Sequence, residues 1–490
     1  MWCNMADIKE NSKFDLKQKS LAQKSLDYHS AKPAGKISVV SSKKCDTQEE
    51  LSLAYTPGVA EPCLEIKKNK DDVWKYTNRG NMVAVVTDGT AVLGLGDIGP
   101  YAGLPVMEGK AVLFKKFADV DAFPICLQNV RQNKNHGSSE VGENDNCNAG
   151  HSDVDKIVEA VKQLEPNFGG INLEDIAAPA CFEIEERLKK ETDIPIFHDD
   201  QHGTAIISLA ALLNGLKLSG KKISEIKVVV NGAGAAGIAC SKFYEYAGVK
   251  RKNIFMCDRK GLIYAGRKDD MNRYKEYFAQ NSNNLSIINK GKKDGEITLA
   301  EALKGADVFL GVSVANCVTE EMVKKMADKA IIFAMANPVP EIMPELAKKA
   351  GAFIVATGRS DVDNQVNNVL GFPGIFRGAL DVRATNITEE MKFAASQALA
   401  EIANEEVPAA IKKFLEKAYP RDAKKKLFDA KNPLSREYVI PKPFDPRVVP
   451  RVARGVAEAA FKYKVARVKV NDLNDFDQYE KEVFERVNLH

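Results

Sequence analysis

The sequence predicts an α/β chain with two parallel-sheet regions in series, followed by a helical return. Three observations carry this. Short apolar runs bounded by turn or acidic residues alternate with helical patterns from the first half onward. The alternation breaks at Gly220-Lys221-Lys222 and then restarts. From about residue 385 the strand-like runs stop and helical patterns continue alone.

In the first region, Met82–Val86, Ala111–Phe114, Pro124–Leu127, Ile171–Leu173 and Pro195–Phe197 are the predicted strands. Helices are expected over 152–164 and 204–218. In the first of these, Ile157, Val158, Val161 and Leu164 share one face, with Ser152 or Asp153 as N-cap. The second region has predicted strands Ile226–Val230, Ile254–Cys257, Asp307–Leu310, Ala330–Ala334 and Phe353–Ala356, with a helix over 235–247. Such alternation implies parallel sheets with helices on both faces. The expected division is an N-terminal α/β domain over 1–216, a doubly wound domain over 217–385, and a helical segment over 386–490 that packs back on both. Within that segment the proline-rich stretch 431–450 is expected to run extended over the surface. Residues 131–150 are polar without periodicity and read as a solvated loop or insertion; His136 and His151, in or beside it, are weak metal candidates.

A chain of 490 residues is too long for one ordinary core. Its 70 basic and 67 acidic side chains leave a net charge of +3, which argues against nucleic acid or a membrane surface as partner. No apolar run approaches bilayer length, and the first residues lack a secretory pattern. The nine cysteines contain no Cys-x-x-Cys pair, so a zinc ribbon is not expected. Reduced thiols in a cytoplasmic protein are.

The strand at 226–230 runs into Gly232-Ala233-Gly234-Ala235-Ala236-Gly237, which opens a helix. Glycines at these positions allow a tight turn and close approach of backbone to a pyrophosphate, which then faces the helix N-terminus. Asp258 ends the next strand, where a carboxylate can accept a ribose hydroxyl. The pattern predicts a Rossmann-type dinucleotide site, weighed against a purely structural glycine turn. Asp258 favours NAD, whereas Arg259, Lys260 and Arg267 could neutralise a 2′-phosphate; the balance points to NADP, with NAD as the alternative.

Two acidic clusters follow strands and precede helices: Asn172-Leu173-Glu174-Asp175 and His198-Asp199-Asp200-Gln201-His202. In an open α/β sheet that edge binds ligands. Hard carboxylate oxygens suit Mg²⁺ or Mn²⁺, but carboxylates at such positions also cap helices. Adjacent Asp199 and Asp200 need a cation nearby. Lys110, expected to open an apolar strand, is the candidate partner; desolvation there would lower its pKa and make it a base. Read locally, a snorkelling surface lysine is the favoured reading. Tyr55 lies beside the Pro57-Gly58 bend and, read alone, favours a packed side chain.

The segments AYTPGVAEPC, VVTDGTAVLGLGDIGP, MEGKAVLFKKFADVDAFPI, GGINLEDIAAPACFEIE, IPIFHDDQHGTA, NGAGAAG, CDRKGLIYAGR, AMANPVPEI and NQVNNVLGFPGIFRGALD occur in order and together resemble the malic enzymes, in their short, bacterial-type form. The resemblance covers about residues 45–385, and REYVIPKPFDPRVVPRVA extends it to about 460. It implies that Tyr55 is a general acid and Lys110 a general base. It also implies that Glu174, Asp175 and Asp200 are metal ligands and that Asp199 pairs with the lysine. Asn337 and Asn368 would hold the substrate carboxylate or the nicotinamide side, and Ser313 would lie on the cofactor side. The implied reaction oxidises and decarboxylates malate to pyruvate and CO₂ with NADP or NAD and Mg²⁺ or Mn²⁺, in a homodimer or larger oligomer. Longer malic enzymes carry a substrate-clamping arginine where this chain has Thr90 and Ala91, so the substrate charge must be met otherwise, through backbone N–H groups or a partner subunit. Two alternatives remain at this level: a metal-assisted dehydrogenase of another hydroxy acid, and an inactive dinucleotide-binding regulatory homologue.

Overall fold

The computed structural model describes residues 20–131, 152–281, 297–469, 473 and 475–488. His136, His151 and nearly all of the polar 131–150 stretch lie outside them. The chain divides into two compact units at Gly58. In the first, α1 (Leu21–Ser30) and α2 (Gln48–Ala54) are short helices. Thr47 and Glu50 close a capping box that satisfies the first N–H groups of α2.

The second unit, Val59–His490, holds both sheets. One comprises β1 (Met82–Thr87), β2 (Asp121–Cys126), β3 (Gly170–Leu173) and β4 (Ile196–His198), all parallel, in the order β2-β1-β3-β4. The other comprises β5 (Val228–Asn231), β6 (Ile254–Asp258), β7 (Gly261–Leu262), β8 (Val308–Gly311), β9 (Ile331–Ala334) and β10 (Ile354–Thr357), in the order β10-β9-β8-β5-β6-β7. Among the described strands of this second sheet, β6 and β7 pair antiparallel and the other pairings are parallel. Runs such as Val83–Val86 and Val228–Val230 are fully buried. Continuous apolar strands covered on both faces are what parallel sheets require.

One predicted strand is a helix. Ala111–Phe114 lies inside α3 (Gly99–Ala118), so Lys110 projects from mid-helix rather than from a strand start. The buried positions Gly103, Met107, Ala111, Phe114 and Ala118 recur every three or four residues. That helical period outweighs the local apolar run.

The helices α4 (Val154–Leu164) and α5 (Ala180–Glu191) pack on each other. Asp153 caps α4, its side chain accepting the Lys156 N–H. From β4 the chain passes directly into α6 (Asp199–Ser219), which ends on Gly220 in the left-handed conformation. This helix is buried over most of its circumference, as its nearly all-apolar second half demands. It packs against α7 (Ala235–Tyr246) on the second sheet, and its side chains share one core with both sheets. Farther on, α8 (Phe372–Asp381), α9 (Glu389–Ile402), α10 (Val448–Lys462) and α11 (Phe476–Asn488) form the return. Helix α9 lies on α6 and α10, and α10 on α8. Buried Arg377 of α8 donates to Asp381 and to Asn81 Oδ1, and the Tyr479 hydroxyl of α11 donates to the same aspartate. The seven cysteines among the described residues are free thiols. No helix among those residues is long and apolar enough to cross a membrane.

Candidate active site

The first sheet delivers its acidic residues to one edge. Glu174 and Asp175 follow β3, while Asp199 and Asp200 follow β4 as the first turn of α6. Because β3 and β4 are parallel neighbours, both turns emerge side by side. The Asp175 N–H donates to Asp200 Oδ2 at 2.8 Å, fastening the turns together. Asp175 adopts φ 53°, a left-handed conformation that aspartate tolerates better than most residues. Ligand oxygens of Glu174, Asp175 and Asp200 all lie within 4.8 Å of one another.

Lys110 reaches this cluster from α3. Its Nζ lies 2.7 Å from Asp199 Oδ2, 2.9 Å from Glu174 Oε1, and 4.4 Å from the centre of the Phe372 ring. The lowered lysine pKa expected from desolvation is reversed here. Burial pulls it down, but the Asp199 and Glu174 carboxylates more than offset that and hold the ammonium above its ordinary range. Glu174 is pushed up by burial and by the charges of Asp200 and Asp199, despite the opposing pull of Lys110. Asp200 is pushed up by burial and by Asp175. This cluster gathers more negative charge than one lysine balances. Its hard oxygen donors fit a Mg²⁺- or Mn²⁺-sized dication, which the charge excess would favour.

Asn368 touches the same cluster. Its Nδ2 donates to Asp199 Oδ2 at 3.0 Å, and its Oδ1 accepts from the Thr204 hydroxyl at 3.2 Å. The loop after β1 closes one side. The Ala91 N–H donates to the Asp175 carbonyl, and Thr90 Oγ1 accepts the Ala177 N–H. The N–H groups of Gly89, Thr90, Ala91 and Val92 all bond within the chain, so this loop offers them to its own neighbours. Close approach links that loop to the second sheet: a Cβ on Gly94 would fall 2.5 Å from the Asn337 carbonyl oxygen. Asn337 thus stands in the loop after β9, across from the β1 loop.

On the second sheet, Gly232 leaves β5 with φ +119°, and Ala235 and Ala236 open α7 after Gly234. Gly237 packs so tightly on this turn that a Cβ would lie 1.8 Å from the Gly232 carbonyl oxygen. Gly237→Ala is therefore expected to open the loop and weaken dinucleotide binding by more than about tenfold while metal binding is retained. Fluorescence titration of the reduced dinucleotide, beside a Mn²⁺ titration, checks this. A cleft of about 820 Å³ borders the turn, lined in part by Gly232, Gly234, Asp258, Arg259, Lys275 and Ser313.

Asp258 is already engaged. Its Oδ2 accepts from Arg267 at 2.7 Å and Lys275 at 3.0 Å, and its Oδ1 from the Lys260 N–H. Burial would raise its pKa, but these donors hold it below the ordinary range. Arg259 is mostly exposed. Ser313 follows β8 and accepts from Asn231 Nδ2 at 2.7 Å. Its N–H and hydroxyl both donate to buried Glu341, whose other oxygen accepts the Ala336 N–H. Sequence reasoning passed over Glu341, although it stands within the quoted AMANPVPEI segment; only the fold shows it spanning the loops after β8 and β9. Tyr55 follows α2 in the first unit and is 70% exposed.

Two family models cover most of the chain: the malic enzyme N-terminal domain over residues 34–189 and the malic enzyme NAD binding domain over residues 201–416. The chain belongs to the malic enzyme family. The bifunctional malic/malolactic enzyme of Bacillus subtilis is 55% identical over 92% of this chain and 96% of its own length. The NADP-dependent malic enzyme of Escherichia coli is 49% identical over 94% of this chain, which spans only 54% of that longer relative. Among solved structures, a malic enzyme from Pyrococcus horikoshii superposes with a TM-score of 0.79 at 43% identity, covering 96% of each chain. The fold expected from the sequence, an N-terminal α/β region followed by a Rossmann-type region and a helical C-terminal part, is the fold of these relatives.

Proposed function

We propose that the chain oxidises and decarboxylates (S)-malate to pyruvate and CO₂, reducing NADP or NAD with the help of Mg²⁺ or Mn²⁺. The observation that carries this reading is the convergence of Glu174, Asp175 and Asp200 beside Lys110. In this reading the three carboxylates hold the ion, and the Gly232–Gly237 turn holds the dinucleotide pyrophosphate. When bound, the ion supplies electrophilic polarisation at the C2 oxygen and the dinucleotide supplies the hydride acceptor.

The chain's own residues then move protons. Lys110 Nζ takes the C2 hydroxyl proton as C2 is oxidised. The positive charge needed at the carboxylate cluster offsets the field that otherwise keeps Lys110 protonated. Asp199 orients the ammonium, and Asn368 orients Asp199. Loss of CO₂ breaks the C3–C4 bond, and C3 then takes a proton, for which Tyr55 is the donor by its match to the family motif. Asn337 and Ser313 are assigned to the nicotinamide side of the cleft, with Asn337 and Asn368 also near the substrate. Asp258 and Arg259 are assigned to the adenosine ribose, with NADP favoured by the Arg267 and Lys275 charges that already offset Asp258.

Incubation with malate, Mn²⁺ and each dinucleotide tests the proposal. Equal amounts of pyruvate, CO₂ and reduced dinucleotide are expected. Oxaloacetate accumulating without CO₂, or reduction with another hydroxy acid but not malate, would sink it. The ratio of kcat/KM for the two dinucleotides settles the cofactor.

A further inference from the structure

Three ionisable side chains behind the carboxylate cluster, buried Glu185 and Lys392 and partly buried His202, take no part in the chemistry above. Lys392 is on α9, in the helical return, and is 1% exposed. Its Nζ lies 3.1 Å from His202 Nδ1 and also donates to Glu389. His202 Nε2 lies 2.8 and 2.9 Å from the two oxygens of Glu185 on α5. Glu185 Oε1 in turn accepts the backbone N–H of His198 at 3.2 Å and is paired with Lys189 at 2.9 Å. His198 is the residue immediately before Asp199 and Asp200.

These contacts form an ordered chain whose donors converge on Glu185: Lys392 through His202 from one side, and the His198 backbone N–H from the other. A lysine ammonium can only donate, so His202 Nδ1 accepts. Nε2 therefore carries the proton and donates to Glu185. The histidine is held as one neutral tautomer, clamped at both ends. Glu185, fixed by that bond, grips the turn from which Asp199 and Asp200 spring. Burial of Glu185 and Lys392 makes their bonds to His202 costly to leave unmade.

We infer that Lys392 is a remote positioning residue for the metal turn: through His202 and Glu185 it sets the placement of Asp199 and Asp200 and thereby the affinity for the divalent ion. This rests on the metal reading of Glu174, Asp175 and Asp200 given above. It gives the helical return a role beyond covering apolar surface. Outer partners that orient ligands are worth about 10- to 100-fold in metal affinity.

The test is direct Mn²⁺ binding, followed by the electron paramagnetic resonance signal of free ion, on wild type and Lys392→Met. The Met chain keeps length and apolar bulk but removes the donor. A Kd raised by about tenfold or more is expected, with the Kd for reduced dinucleotide unchanged. Metal Kd values within about twofold of each other would overturn the inference. So would an equal loss of metal and dinucleotide binding, which reports general loosening. If wild type itself binds no Mn²⁺, the metal reading fails first. A second measurement needs no variant: ¹⁵N NMR of histidine-labelled wild type, with six histidines to assign. His202 is expected as the neutral Nε2–H tautomer at neutral pH, and an Nδ1–H tautomer would overturn the relay even if Lys392→Met did not fold.

Discussion

Lys110→Arg is expected to fold and bind Mn²⁺ yet lose kcat by about 10³-fold or more. A positioned general base is worth about 10²- to 10⁴-fold, and arginine cannot give up its proton at usable pH. The arginine keeps the positive charge that Asp199 and Glu174 require, at 2.7 and 2.9 Å from Lys110. Lys110→Ala differs in kind, because it leaves two buried carboxylates without their cation. Removing one member of a buried ion pair costs about 3–5 kcal/mol. The alanine variant should therefore melt at a lower temperature as well as being inactive. Steady-state kinetics with malate, alongside thermal melts, separates the chemical loss from the structural one. Turnover of the arginine variant within about tenfold of wild type would remove Lys110 from the base role.

Chelation of the metal is expected to abolish turnover and to leave a protein whose stability falls as pH rises. The sign follows from Glu174 and Asp200. Burial and neighbouring charge raise both carboxyls above the ordinary carboxylate range in the ion-free fold. A group raised on folding contributes stability that is fully present below its unfolded pKa of about 4. That contribution is lost as pH climbs through the raised folded value. Melting temperature of the chelated protein should thus be lower at about pH 8 than at about pH 5.5, and Mn²⁺ should raise it more at the higher pH. Asp200→Asn should flatten the dependence and bind Mn²⁺ poorly. A metal-induced shift that does not change with pH would count against ionised carboxylates as the ligands. Gly237→Ala and Lys392→Met complete the set by separating dinucleotide binding from metal binding.

Family, the succession of strands and helices along the chain and the dinucleotide turn are written in the sequence because each rests on local pattern. Val228–Asn231 followed by Gly232-x-Gly234-x-x-Gly237 specifies a strand, a turn and a helix within a few residues. The same locality explains the strand misplaced at 111–114, and the stretch 431–450 also departs from expectation, being rich in turns, largely buried from Tyr438 onward and helical from Val448. Ala111–Phe114 is apolar over four residues and looks like a strand, while its helical period shows only across Gly103 to Ala118. That error carried a second one. Lys110 has its pKa raised, not lowered, because its two carboxylate partners lie far along the chain and arrive through β3 and β4.

By itself, then, the amino-acid order determined which residue types stand at strand ends and which turns can face a phosphate. Only the tertiary structure decided which of them meet. Glu174 and Asp200 converge because β3 and β4 are parallel neighbours, Glu341 spans two loops because β8 and β9 end side by side, and Lys392 reaches His202 because α9 lies on α6. Period and propensity act over a few residues, whereas charge and hydrogen bonding act over a few ångströms of space, and the fold alone relates those two distances.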